Sequence, residues 1–302
     1  MQQKISSKLV VSALACLLCV PVFAGQNKKH NLDIAYEHSK YTYREPHMAY
    51  PIKDYGSKNG ISVSYMMRSL LSRDYDETDS TFGILDFRYM GGDVKYKGWV
   101  GEIDPETWEE TNVTPYSQGG LDDYYFEASL KLGQTFQFTD WLGLWPYFGV
   151  GWRQLTNHGD EMEDGGYKRV QTYVYIPIGT NLKFDVGEHF AITLNGQFDW
   201  MVYGNIYNSF NNRVEFPRVG SFDSISMQQH KGYGLRASVR ADLDVGKIGF
   251  FAEPFWRYWH IQNSEPWTYI FEEGGEWWKA RGGFVEPFNT THEYGFRVGI
   301  TF

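Results

Sequence analysis

The side chains best able to do chemistry are charged residues spaced four apart. Arg236 and Arg240, Glu253 and Arg257, and Glu293 and Arg297 fall in three successive alternating segments. Even spacing puts each pair on one face of a strand. Guanidiniums and carboxylates gathered in that way can pair and fill a space, or line a polar path for a small solute. Three other combinations are candidates for catalysis. His158 with Asp160 could activate a water by general-base chemistry. His260 with Ser264, and His38 with Ser39, contain a hydroxyl nucleophile and a base. His38 and Ser39 are adjacent, so a strand would send them to opposite faces. The only cysteines are Cys16 and Cys19. Both lie in a segment expected to be removed, which excludes disulfide, thiolate-metal and thiol-nucleophile chemistry from the mature chain.

The elements that must hold these residues are strands. Alternating segments recur at 31–43, 60–72, 80–90, 122–136, 143–156, 168–183, 189–204, 231–243, 248–262 and 288–302. Three connections are tight and rich in Asp or Gly: Phe138-Thr139-Asp140, Asp185-Val186-Gly187-Glu188 and Asp244-Val245-Gly246-Lys247. Such residues suit hairpin turns. The other connections are long, covering 44–59, 91–121, 157–167, 205–230 and 263–287. Alternation of short and long connections predicts an all-β, ten-stranded, antiparallel, up-and-down barrel, with short turns at one end and long loops at the other. A secreted β-sandwich would also alternate along its strands, but has no reason to sort its loops.

The last segment, FNTTHEYGFRVGITF, carries Tyr294, Phe296, Val298, Ile300 and Phe302 on one face. A strand of this pattern that stops on a C-terminal Phe resembles the closing strand of bacterial outer-membrane β-barrels. The resemblance implies the outer membrane as location, outer-membrane lipid and lipopolysaccharide as surroundings, and the barrel-assembly machinery as the partner that reads those five residues. The N-terminus agrees with export. Lys4 and Lys8 precede an apolar core from Leu9 to Val20, and Val22 and Ala24 suit a cleavage site. The expected division is a signal peptide over 1–24 and a barrel over 25–302. No later apolar run approaches the roughly 20 residues of a membrane helix.

Composition fits this reading. Aromatic residues make up 18% of the chain, with 32 glycines, and a barrel with a polar lumen needs little mean hydropathy. Trp141, Trp145, Trp200, Tyr203, Trp256 and Tyr258 are expected outside, as interfacial girdles. The opposite faces predict a lumen lined by Asp33, Glu37, Asp86, Glu127, Asp199, Asp242, Glu253 and Glu293, and by Arg68, Arg88, Lys131, Arg153, Arg169, Lys183, Arg236, Arg240, Arg257 and Arg297. In a narrow ten-stranded interior, pairing of these charges would form a plug. Loss of Lys4 and Lys8 would move the formal net charge from −9 to −11. Many of the acids lie in 91–121, 157–167 and 263–287, where they could attract cations, although their spacing matches no calcium loop. No cofactor or metal is assigned. The acidic balance disfavours nucleic acid. The Asn112-Val113-Thr114 and Asn289-Thr290-Thr291 sequons carry no meaning in this compartment.

Ten strands is also the count of the omptin family of outer-membrane proteases, which resemblance would imply an Asp-His couple at the barrel mouth. His158-Gly159-Asp160 has the reverse order, and Asp104 in the second long loop lacks a paired acid. The functional expectation is therefore a non-enzymatic barrel, either a narrow porin-like channel of unknown solute or a surface barrel with acidic loops. The alternative is an omptin-like surface hydrolase.

Overall fold

The computed structural model describes residues 29–302 apart from 48–49, 71–79, 104–109, 164–165, 217–219, 274–275 and 282–283. The segment 1–24, with Cys16 and Cys19, lies outside the described residues. The strands are β1 (His30–Glu45), β2 (Ile52–Arg68), β3 (Thr81–Ile103), β4 (Glu110–Gln134), β5 (Phe136–Thr139), β6 (Leu142–His158), β7 (Tyr167–Asp185), β8 (Phe190–Phe216), β9 (Gly220–Gln229), β10 (Gly232–Asp244), β11 (Gly249–Ile261), β12 (Thr268–Glu273), β13 (Glu276–Arg281) and β14 (Asn289–Thr301). All pairings are antiparallel. β1 pairs with both β2 and β14, and β10 pairs with both β8 and β11, so the sheet closes. β5 continues the wall begun by β4, and β9 leads into β10. The result is a ten-staved barrel.

Closure is sealed at the chain end. Phe302 N–H donates to the Leu32 carbonyl at 3.0 Å, and Leu32 N–H returns the bond at 3.1 Å. The turn between β10 and β11 needs its glycine, because Gly246 sits at φ 87°. The Gly246 N–H donates to Asp244 Oδ1 at 2.9 Å, which fixes that turn.

The barrel is inside-out relative to an ordinary domain. Phe148 on the outer wall is 62% exposed, whereas Glu37 in the lumen is 0% exposed. Leu85, Leu130, Val150, Ile178, Phe198, Trp200, Phe250, Phe296 and Val298 are likewise exposed. Polar residues face inward because period two sends alternate side chains to opposite faces.

Three expectations need correction. First, most of the long connections are strand. β2 begins at Ile52, β3 and β4 carry the wall up through 91–103 and 110–121, and β8 with β9 forms a tall hairpin through much of 205–229. Part of 263–287 is a separate ribbon of β12 and β13. β2 is polar on both faces through 53–59, so it carries no hydropathy alternation to read, whereas the upper parts of β3, β4, β8 and β9 turn apolar residues such as Val94, Leu121, Ile206, Ile225 and Met227 inward, the reverse of the wall below. Second, Trp145 faces inward at 8% exposure, packed with Phe82, Ile84 and Tyr147. Its parity follows Tyr147 and Arg153. Third, the turn after the fourth strand is not purely loop, since β5 spans Phe136–Thr139.

Candidate functional site: the ion-paired lumen

Each lumen charge is placed by strand parity, and its partners are chosen across the barrel. At mid-height, Glu127 on β4 accepts from Arg88 on β3 at 2.8 Å and from Arg153 on β6 at 3.3 Å. It also contacts Arg236 on β10. Glu37 on β1 accepts from Arg88 at 3.0 Å and from Arg257 on β11 at 2.8 Å. Asp199 on β8 accepts from Arg236 at 2.6 Å and from Gln197 at 2.6 Å. Glu293 on β14 accepts from Ser39 at 2.8 Å, Tyr125 at 3.0 Å and Arg257 at 3.5 Å. Arg236 also donates to Tyr175 on β7 at 3.2 Å. A Cβ on Gly151 would collide with the Tyr175 ring, so glycine is required there. Four guanidiniums meet four carboxylates, all linked through shared partners. Each of these charges except Arg153 has at least two hydrogen-bonding partners, and Arg153 adds the face of the Tyr125 ring to its bond with Glu127, which is what makes burial tolerable.

Toward the hairpin-turn end lies a polar chamber of about 170 Å³. Arg240 contacts Asp33 and bonds Asp242 at 2.7 Å, Arg297 bonds Glu253 at 2.6 Å, and Lys131 bonds Asp86 at 2.9 Å. Lys183 pairs with Asp185 at 2.7 Å. Arg68 lies over the Trp145 ring at 4.6 Å.

Above the middle, cations stack on aromatic rings. The Lys58 ammonium lies 3.8 Å from the Tyr41 centroid and Arg153 lies 3.7 Å from that of Tyr125. Lys58 also contacts Asp123, which accepts from Asn157 at 3.2 Å.

At the mouth, Arg169 on β7 donates to Glu45 at 2.9 Å and reaches Glu286 at 3.5 Å. Tyr43 O–H donates to Glu45 at 2.7 Å. Glu286 is carried inward by the segment before β14, whose backbone is held by Ser264. The Ser264 N–H donates to the Glu286 carbonyl, and the Glu286 N–H donates to Ser264 Oγ, both at 2.9 Å. Trp267 anchors the same segment against Ile206, Ile225 and Met227. Asp54 is buried beside them, and its Oδ1 has no hydrogen-bond partner among the described residues. Burial raises the Asp54 carboxyl from 3.8 to about 7 and the Glu286 carboxyl from 4.5 to about 7, with Arg169 opposing both shifts.

The six residues singled out on the last strands, Arg236, Arg240, Glu253, Arg257, Glu293 and Arg297, all face the lumen; five of them, all but Glu293, line the same chamber, and Glu293 pairs with Arg257. Their ion pairs run two ways: Arg236 and Arg257 reach Glu127, Asp199 and Glu37, whereas Arg240 and Arg297 pair with Asp33, Asp242 and Glu253. Sequence reasoning missed the aromatic partners Tyr41, Tyr43, Tyr125 and Tyr175, although each shares the parity of its lumen neighbours. It also missed Lys58 and Asp54, which lie in the part of β2 read as loop.

The histidine candidates sit elsewhere. None of the eight histidines is buried. His158 and Asp160 are 3.2 Å apart, with His158 beside the outward Tyr124. His260 stacks on Tyr233 and contacts Phe288, while Ser264 bonds the Glu286 backbone. Ser39 points in to Glu293, and His38 points out to Phe296. Among the described residues no group of three or more His, Cys, Asp and Glu side chains is arranged to hold a metal. Several loop acids, including Asp104, Glu106 and Glu109, lie outside the described residues.

No protein-family model matches this sequence, and no curated protein matches it. Solved structures do. The outer-membrane protease OmpT of Escherichia coli is similar with TM-score 0.52 at 12% identity, covering 92% of this chain and 97% of that one. The translocator domain of the autotransporter NalP from Neisseria meningitidis gives TM-score 0.40 at 11% identity, covering 97% and 95%. The closed ten-staved sheet and the likeness to OmpT together give the chain the fold found among bacterial outer-membrane barrels. At this identity the likeness speaks for the fold alone.

Proposed function

We propose that this chain is an outer-membrane barrel with a plugged lumen, working as a surface or structural barrel rather than as an open pore. The observation that carries this reading is the balanced network of Arg88, Arg153, Arg236 and Arg257 with Glu37, Glu127, Asp199 and Glu293 across the middle of the lumen. Its exposed apolar wall fits a hydrocarbon surrounding. Export through cleavage after Ala24, and insertion by the barrel-assembly machinery through Tyr294, Phe296, Val298, Ile300 and Phe302, belong to the same reading. Lipopolysaccharide would surround the mouth end.

The test is single-channel conductance of refolded protein in a planar bilayer. Wild type is expected to be silent, and Arg257→Ala and Arg297→Ala to open ion leaks, with heat-modifiable gel mobility confirming that each variant is folded. Steady wild-type conductance whose selectivity changes in those variants would replace the plug by a narrow channel. Deleting Phe302 removes the two bonds to Leu32 and the terminal aromatic together. That deletion is expected to lower the outer-membrane level of the protein, and unchanged levels would count against the assembly role.

A further inference from the structure

The chamber toward the hairpin turns carries more cation than carboxylate on its wall. Arg88, Lys131, Arg236, Arg240, Arg257 and Arg297 line it, against Asp33, Asp86, Glu127 and Glu253. The acids that complete the balance stand elsewhere. Glu37, Asp199 and Glu293 pair with Arg88, Arg236 and Arg257 but do not line the chamber, and all three are at most 2% exposed. Asp242, the second acid on Arg240, lies nearer the turns. Six cations against four acids leave the wall with an excess of two positive charges. Three of those cations also keep donors in reserve. Arg88 donates to Glu37 and Glu127 from Nε and Nη1, and its Nη2 bonds no group among the described residues. Arg297 meets Glu253 through Nε and Nη2, and its Nη1 is likewise unengaged among the described residues. Lys131 has three ammonium protons and one carboxylate partner, Asp86 at 2.9 Å.

The space is large enough for a guest and reachable from one end. At about 170 Å³ it holds on the order of ten waters. Side chains grow more exposed toward the hairpin turns: Glu37 and Asp199 are 0% exposed, whereas Lys183, Asp185 and Asp242 are 28–33% exposed. Met66, Ile84, Tyr147 and Phe255 add apolar surface to the same wall. A guest with two negative charges would neutralise the excess, and charges act more strongly inside a protein than in bulk water. A cation would meet the excess as a like charge. Carbon atoms between the two charges would find the apolar part of the wall.

We propose that this chamber is a binding site for a small organic dianion, dicarboxylic or phosphorylated, that enters from the hairpin-turn end. Arg88, Lys131 and Arg297 supply the donors, two guanidinium edges and one ammonium, a set suited to several oxyanion oxygens. The proposal goes beyond the plug reading, which concerns conduction through the middle of the lumen and assigns the chamber no ligand.

The experiment is titration calorimetry on the full chain refolded in maltoside micelles, at low ionic strength and pH 7.5. The probes are succinate, glycerol 3-phosphate, acetate and inorganic sulfate. Wild type is expected to bind at least one of the two organic dianions saturably, one per chain, and about tenfold or more tighter than acetate. The tighter of the two names the charged group that the chamber prefers. Lys131→Gln/Arg297→Gln is expected to bind that dianion at least about tenfold more weakly, since two charge-assisted contacts are lost. Lys97→Gln, on the exposed outer face of β3, is the control and should bind like wild type. Should the double variant lack heat-modifiable mobility, Arg297→Lys replaces it. That change keeps a cation beside Glu253 and removes the unengaged Nη1, so it should weaken the dianion by about threefold or more. Equal affinity in wild type and the folded variant, or equal loss in the control, would overturn the site. Acetate bound as tightly as the dianions would overturn the charge assignment, and sulfate bound as tightly would overturn the organic one. A wild type that is heat-modifiable and silent in the bilayer but takes up neither organic dianion would overturn the site and leave the plug standing.

Discussion

The middle of the lumen and its mouth solve the same problem differently. Both bury charge inside a polar barrel. In the middle, four guanidiniums face four carboxylates, and each carboxylate has at least two donors. At the mouth, Arg169 is shared by Glu45 and Glu286, while Asp54 Oδ1 is unpartnered among the described residues. The middle balances its charge with cations. The mouth balances it with protons, because burial holds Asp54 and Glu286 at about 7. In the middle each of the four carboxylates is paired with at least one guanidinium, whereas the balance at the mouth depends on pH.

The sharpest way to break the comparison is Glu127→Gln. That one change leaves Arg88, Arg153 and Arg236 competing for fewer charges. Removing one partner of a buried charge network costs about 3–5 kcal/mol. Urea unfolding in bilayers, followed by tryptophan fluorescence, should show a loss of that size at every pH from 5 to 8. A loss under about 1 kcal/mol would mean that water already screens the network.

The mouth should respond to pH. A carboxyl whose folded pKa is raised prefers its neutral form in the folded state. Its contribution is therefore complete below the unfolded value, near 4, and is lost as pH rises through about 7. Wild type should lose stability across that window. Asp54→Asn keeps the shape and fixes the neutral form, so it should flatten the profile and stabilise the protein at pH 8 by about 1–2 kcal/mol. A profile unchanged by the substitution would assign the pH dependence to Glu286 alone.

Why one region could be read in the sequence and the other could not follows from what each strand faces. Phe148, Val150 and Trp152 alternate with Gly149, Gly151 and Arg153 because apolar wall opposes lumen, and that parity places Arg153 inside. Higher up, Lys53, Tyr55 and Ser57 face out while Asp54, Gly56 and Lys58 face in. With polar residues on both faces, the period leaves no hydropathy trace, and β2 reads as loop. Trp145 was assigned outward by residue type, although its parity with Arg153 places it inside. Partner choice is a further step beyond parity. Arg236 and Glu127 are 109 residues apart and meet across the lumen. Register fixes neighbours along the wall, but barrel diameter and side-chain reach decide contacts across it.

The finest comparison removes a single hydroxyl from each region. Tyr125 O–H donates to both Glu293 oxygens at 3.0 Å and accepts from Arg257 at 3.2 Å. Tyr43 O–H donates to Glu45 at 2.7 Å and accepts from Arg169 at 2.8 Å. Phenylalanine at either site leaves a carboxylate one donor short, at a cost of about 1–3 kcal/mol. Glu293 keeps Ser39 and Arg257 after Tyr125→Phe, so that loss should fall at the lower end. The Glu45 carboxylate keeps only Arg169 as a described side-chain donor after Tyr43→Phe, and Arg169 is shared with Glu286. The Tyr43→Phe loss should therefore be the larger of the two at pH 8 and shrink toward pH 5, where Glu286 is neutral and Arg169 is freed for Glu45. Equal losses at both pH values would show that the mouth holds its charge as firmly as the middle does.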